Sequence, residues 1–143
     1  TQTYFEITSD INLGNNQWYS LSYSDSWITN AKYNTMAFNG VIYGNGHTIY
    51  NLYSYEDAVA QALIPIATQL TEIHDLHIVG ATIDRKYPSY AVGASIGLAK
   101  AQERSKPITI KGCSVEDSFI KGTNGVGGLI GYVYSQPVKV TAS

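Results

Sequence analysis

The sequence has one cysteine, Cys113, so no disulfide can form within the chain, and its neighbours mark it as a small buried apolar residue. Charge is scarce too: Asp, Glu, Lys and Arg make up 14% of the 143 residues, and the formal net charge is −2. Nucleic acid and anionic membrane surfaces demand clustered Lys and Arg. The densest basic points here, Arg85-Lys86 and Lys100 to Lys106, read as solvated loops, so neither partner is expected. No apolar stretch approaches the roughly 20 residues of a membrane span. No charged-then-apolar leader opens the chain at Thr1, which reads as a processed or excised form. Helical periodicity is missing as well. The one stretch open to a helical reading, Glu56 to Leu63, is short, Ala-rich and poorly capped.

What remains is strand chemistry. Short runs of Ile, Val, Tyr and Leu alternate with Gly, Asn, Ser and Pro, the balance of an all-β chain. The runs repeat. Ile49-Tyr-Asn-Leu-Tyr-Ser, Ile73-His-Asp-Leu-His-Ile and Ile110-Lys-Gly-Cys-Ser-Val share a pattern, with starts 24 and 37 residues apart. A second element follows each: Ala62-Leu-Ile-Pro-Ile-Ala, Ala94-Ser-Ile-Gly-Leu-Ala and Gly128-Leu-Ile-Gly-Tyr-Val, with Pro65, Gly97 and Gly131 in one slot. Between the two elements, Ile78-Val-Gly-Ala-Thr-Ile-Asp matches Val115-Glu-Asp-Ser-Phe-Ile-Lys, and the first unit lacks this piece. Such a unit cannot bury an apolar face alone, whereas stacked units build a continuous core. Stacking predicts an inward row of Ile49, Ile73 and Ile110 and a second of Leu52, Leu76 and Cys113. Asp84 to Tyr90 and Lys100 to Pro107 are then loops extruded from coils of constant strand length.

The chain reads as one domain, 1–143, with N-terminal coils over 1–48, repeat units over 49–72, 73–109 and 110–137, and a further coil beginning at 138–143. Tyr4 to Leu13 begins as an alternating strand, and Gly44-Asn-Gly46 supplies a sharp corner between two strands.

Phe38 to Leu52 resembles the F-x-G-x-(F/Y)-x-G-N-G-H-x-I-x-N-L opening of secreted bacterial β-helix proteins, and Glu6 to Leu13 resembles the strand that precedes it. Gly127-Gly-Leu-Ile-Gly131 is similar to the GLUG repeat of bacterial surface proteins. The resemblance implies a pectin-lyase-like fold: all-β, a right-handed parallel β-helix of about four to five irregular coils with little or no helix. It also implies an extracellular or cell-surface location. Two departures, Ile64-Pro65 in the first unit and Gly97-Leu98 in the second, are expected to distort those corners, and the family's N-terminal capping helix is missing.

A pectate-lyase-like enzyme would gather carboxylates for Ca²⁺ beside a basic residue on one outer sheet. Asp75, Asp84-Arg85 and Glu116-Asp117 do not fall in one outward register, so no catalytic residue is assigned and the chain is not expected to be an enzyme. His74 and His77, three apart on one strand, would point to opposite faces, and no metal ligand or cofactor site is assigned. His47, after the Gly-Asn-Gly turn, reads as a corner hydrogen-bonding residue. Of the twelve tyrosines, Tyr53, Tyr55, Tyr87 and Tyr90 are the candidates for ligand contact, since exposed tyrosines stack on sugar rings; the alternative for them is cross-strand packing. The expected function is a structural or adhesive stalk or assembly subunit whose open ends are stacked upon by neighbouring domains or by copies of itself. A glycan-binding module for host or bacterial glycan, without catalysis, and a fragment of a carbohydrate-active lyase or hydrolase are the alternatives.

Overall fold

A computed structural model describes residues 2–18, 37–56, 60–85, 91–101, 103–133 and 138–141. Among these, every regular element is a β-strand and no helix occurs. The eighteen strands form five sheets, and every strand pairing is parallel. Sheet 1 holds β1 (Tyr4–Glu6), β3 (Val41–Tyr43), β8 (Glu72–His74), β13 (Ile108–Lys111) and β18 (Val138–Thr141), in that order. Sheet 2 holds β2 (Ile11–Asn12), β4 (Thr48–Tyr50), β9 (His77–Val79) and β14 (Ser114–Glu116). Sheet 3 holds β5 (Tyr53–Glu56), β10 (Thr82–Arg85) and β15 (Phe119–Ile120). Sheet 4 holds β6 (Ala60–Gln61), β11 (Ala91–Val92) and β16 (Gly125–Val126), and sheet 5 holds β7 (Ile64–Thr68), β12 (Ile96–Lys100) and β17 (Ile130–Val133). From β3 onward the chain visits sheets 1 to 5 in turn and then returns to sheet 1, three times over.

Register places like on like. Phe5, Ile42, Ile73, Ile110 and Val140 form one row, and Ile11, Ile49, Ile78 and Val115 another. Ser54, Ile83 and Ile120 follow in sheet 3, and Ile64, Ile96 and Ile130 in sheet 5. Most of these residues belong to one apolar core that runs along the stack. β-Branched side chains suit such rows, because their stiff rotamers pack directly on the strand above and below.

The register corrects one expectation. Ile49 pairs with Ile78, not Ile73, so no row joins Ile49, Ile73 and Ile110; the residue before Ile73 in its row is Ile42. Leu52 likewise leaves the company of Leu76 and Cys113, which remain consecutive buried residues at one corner. The spacings become 31 residues from Ile42 to Ile73 and 37 from Ile73 to Ile110. Most of the extra length lies between sheets 5 and 1, where nine positions separate Lys100 from Thr109, against four from Thr68 to Glu72 in the turn before; Lys100 itself, expected to open a solvated loop, is instead buried at the end of β12. The other matches hold, Ile78 with Val115, Ile83 with Ile120, and Ile64 with Ile96 and Ile130.

Two local devices shape the coil. Asn45 and Gly46 both have positive φ, 55° and 79°, and His47 N–H donates to the Gly44 carbonyl at 2.9 Å, the pattern of a type I′ turn. Gly44 is needed there because any Cβ would enter the backbone of Asp75 and Leu76 on the next coil. Within sheet 5, at the second residue of each strand, the pairing skips Pro65, Gly97 and Gly131. The strand changes face at that point: Ile64 and Ile96 enter the main core, while Ile66 and Leu98 join Ala60 and Ala91 in a second cluster. Proline lacks the N–H that a ladder position needs, so it fits where the ladder skips. Pro65 and Gly97, expected to distort the coil, therefore leave the register intact.

Candidate functional site

The residues that distinguish the molecule's surface sit at the two ends of the stack. In the row led by Phe5, Ile73 and Ile110 are fully buried, yet Phe5 is 45% exposed at one end and Val140 51% at the other. Val126 continues the buried row of Gln61 and Val92, and Val133 continues that of Ala67 and Ala99; both are exposed. These residues continue rows that are buried in the preceding coils.

At the first end lies a cavity of about 180 Å³, lined by apolar side chains that include Phe5, Ile11, Trp18, Phe38, Leu63 and Leu76. The Trp18 indole N–H donates to the Leu63 carbonyl at 2.9 Å, which holds its ring as one wall. Phe5 and Phe38 lie against each other with centroids 5.9 Å apart.

On the outer face of sheet 1, three rings form a column. Tyr43 lies over His74 at 5.2 Å, directly opposite in register, and Tyr4 lies diagonally over Tyr43 at 6.5 Å with planes 8° apart. Tyr4 and Tyr43 at the start of the column are exposed, 66% and 42%, and His74 is half-buried. The column is cross-strand packing. Sequence reading missed this column because its members belong to the coil phase that the Ile49 alignment displaced.

Of the tyrosines expected to touch ligand, Tyr53 and Tyr55 share the outer face of sheet 3; Tyr53 is half-buried and Tyr55 exposed. The Tyr55 N–H donates to Gln17 Oε1 at 3.0 Å, and Asp84 is its register neighbour. Phe119 stands two strands from Tyr53 in the same row. Tyr87 and Tyr90 lie outside the described residues.

The polar candidates are dispersed. His74 belongs to β8 and meets Glu72 at 2.8 Å, while His77 belongs to β9 in a different sheet and meets Ser114 Oγ at 2.6 Å. A corner at Asp75-Leu76, rather than strand alternation, is what separates the two histidines. His47 makes a corner hydrogen bond to Asp10 at 3.2 Å, and the same carboxylate accepts the Thr48 N–H at 2.9 Å. These contacts hold the Asp10 carboxyl below the usual carboxylate range, the Thr48 bond first. Asp75 and Asp117 occupy positive-φ corners, Glu116 ends β14 in sheet 2 and Asp84 lies in sheet 3. Among the described residues no three His, Cys, Asp or Glu side chains converge on one point. Cys113 is buried, and loss of solvation raises its thiol pKa.

Comparison with models of protein families, with curated proteins and with solved structures finds no match.

Proposed function

We propose that the chain is a structural or adhesive module of the cell surface or extracellular space, a right-handed parallel β-helix that a second copy extends end to end. The observation that carries this reading is the exposure of Phe5, Val126, Val133 and Val140, whose rows are otherwise buried core. A right-handed winding is supported by the parallel, cyclic order of the strands, since crossovers between parallel strands of one sheet are right-handed in about 98% of cases. The GLUG-like segment and the G-N-G-H opening support the location. The reading assigns no catalytic step, cofactor, nucleic acid or membrane insertion.

Light scattering and negative-stain electron microscopy over a concentration series test it. End-to-end multimers that lengthen with concentration are expected, and Val140→Asp should shorten them. A chain that stays monomeric into the high micromolar range would overturn the reading.

A second reading, glycan binding without catalysis, draws on the exposed Tyr55 beside Asp84 on sheet 3. Its test is a glycan array on wild type and Tyr55→Ala: binding lost in the variant supports it, and a blank wild-type array removes it.

A further inference from the structure

Asparagine is followed by glycine at Asn39, Asn45 and Asn124, and the proposed function uses none of these pairs. Such a pair is chemically labile, because glycine has no side chain to shield its backbone nitrogen from the asparagine carboxamide. Asn45 and Gly46 are both exposed, so water reaches them and burial gives no protection. Hydrogen bonds hold the reacting atoms instead. Asn45 Nδ2 donates to Glu6 Oε1 and to the Ile7 carbonyl, both at 3.0 Å, in the coil before. The Gly46 N–H donates to the Asp75 carbonyl at 2.8 Å, in the coil after. The leaving group and the nucleophile of a deamidation are thus tied to neighbours on opposite sides along the stack. The type I′ turn, closed by the His47 N–H on the Gly44 carbonyl at 2.9 Å, fixes the peptide between them.

We propose that Asn45 is a deamidation site gated by the fold: the closed junction between the first two coils keeps the amide, and opening that junction releases it to a reaction that hinders reclosing. In the opened junction the Gly46 nitrogen gives up its proton and attacks Asn45 Cγ. A nitrogen–carbon bond forms, the Cγ–Nδ2 bond breaks, and the amide leaves as ammonia with a proton taken up in exchange. Water then adds to one carbonyl of the cyclic imide and reopens it to aspartate or isoaspartate. No oxidant or reductant takes part. Either product changes the junction in the same direction. The carboxylate has no hydrogen to donate, so the Ile7 carbonyl loses its partner and a negative charge stands opposite Glu6. Isoaspartate also lengthens the backbone of a turn whose central residues need φ of 55° and 79°. The reaction runs once, and its extent measures how much the junction has opened.

Peptide mapping by mass spectrometry, with isoaspartyl methyltransferase labelling, tests this on the full chain at mildly alkaline pH, folded and in urea. Asn45 is expected to react roughly tenfold or more slowly in the folded chain. Equal rates would overturn the gating. Glu6→Ala removes one tether and should speed the folded-state reaction several-fold while leaving the rate in urea unchanged; Glu6→Gln, whose side-chain carbonyl still accepts, should keep the wild-type rate. A folded Glu6→Ala chain that reacts no faster than wild type would overturn the proposal. For the hindered reclosing, Asn45→Asp should lower the thermal unfolding midpoint, and Asn45→Asp/Glu6→Gln should recover most of the loss, because donor and acceptor then exchange sides. An Asn45→Asp chain as stable as wild type would overturn the one-way step.

Discussion

Ile110 and Val140 are neighbours in one row, of similar chemistry and the same inward direction, yet Ile110 is fully buried and Val140 is 51% exposed. The contrast recurs between Val92 and Val126 and between Ala99 and Val133. The middle coil and the last coil are built from the same pattern, so burial here is a property of stack position, not of residue type. A coil with neighbours on both sides is core, and a coil with one neighbour leaves the same row exposed. This is the expected energetics of a repeat architecture, where each unit's stability comes largely from the units it touches.

The comparison breaks first at Ile73. Ile73→Ala should destabilise the chain by about 2–5 kcal/mol, the usual cost of a large-to-small change in a core with strands on both sides. Val140→Ala in the same row should cost under about 1 kcal/mol in the monomer. Urea unfolding of both variants checks this, and similar losses would show that the last coil is as well packed as the middle one.

The same contrast governs the glycines. A Cβ at Gly97 would press on the carbonyls of Pro65, Ala91 and Gln61, backbone atoms on three sides, whereas one at Gly128 would find only Val115 at 4.0 Å. Gly97→Ala is expected to cost about 1–3 kcal/mol as overpacking, and Gly128→Ala close to nothing. Thermal unfolding of the pair would sharpen the view that the slot shared with Gly131 is set by backbone approach.

How much of this was legible follows the same division. The row of Ile64, Ile96 and Ile130 and the match of Ile78 with Val115 could be read directly, because strands of equal length repeat the same apolar spacing. Ile49 misled, because Ile49-Tyr-Asn-Leu and Ile73-His-Asp-Leu look alike although they lie in sheets 2 and 1. The clue was the piece that the first unit seemed to lack between its two elements: Ile49 to Tyr55 is that piece, and the strand left out is β3, which precedes Ile49 behind a corner of four residues, Gly44 to His47, where the following coil uses only Asp75 and Leu76. Which strands lie opposite each other was not legible, since pairing follows from register and not from local composition. The Tyr43–His74 column was hidden for the same reason.

Cys113 marks the interior side of the contrast in a titration. Burial raises its thiol pKa, so above about pH 8.5 the unfolded chain releases a proton that the folded chain retains. The unfolded state then binds fewer protons, and stability falls as pH rises until the folded pKa is passed. Cys113→Ala should remove that alkaline slope whatever it does to stability at neutral pH. The native thiol should also resist aromatic disulfide reagents at pH 7 and react on unfolding; fast native reaction would mean that this corner opens.

Asp10 gives the smallest effect and the opposite sign, at the exposed end of the stack. Its pKa is lowered by the Thr48 N–H and by His47, so its contribution is present above the ordinary carboxylate value near pH 3.9 and is lost as pH falls through the lower folded value. The carboxylate stands in solvent, where water and salt screen it, so Asp10→Asn should shift the unfolding midpoint only slightly at pH 7 and not at all at pH 2. Adding 0.5 M salt, roughly a fivefold rise on the usual 0.1 M buffer, should shrink the difference further. A large, salt-insensitive loss in Asp10→Asn would instead mean that the 2.9 Å bond to Thr48 pins the first coil to the second as a structural hinge, and would place that end with the interior.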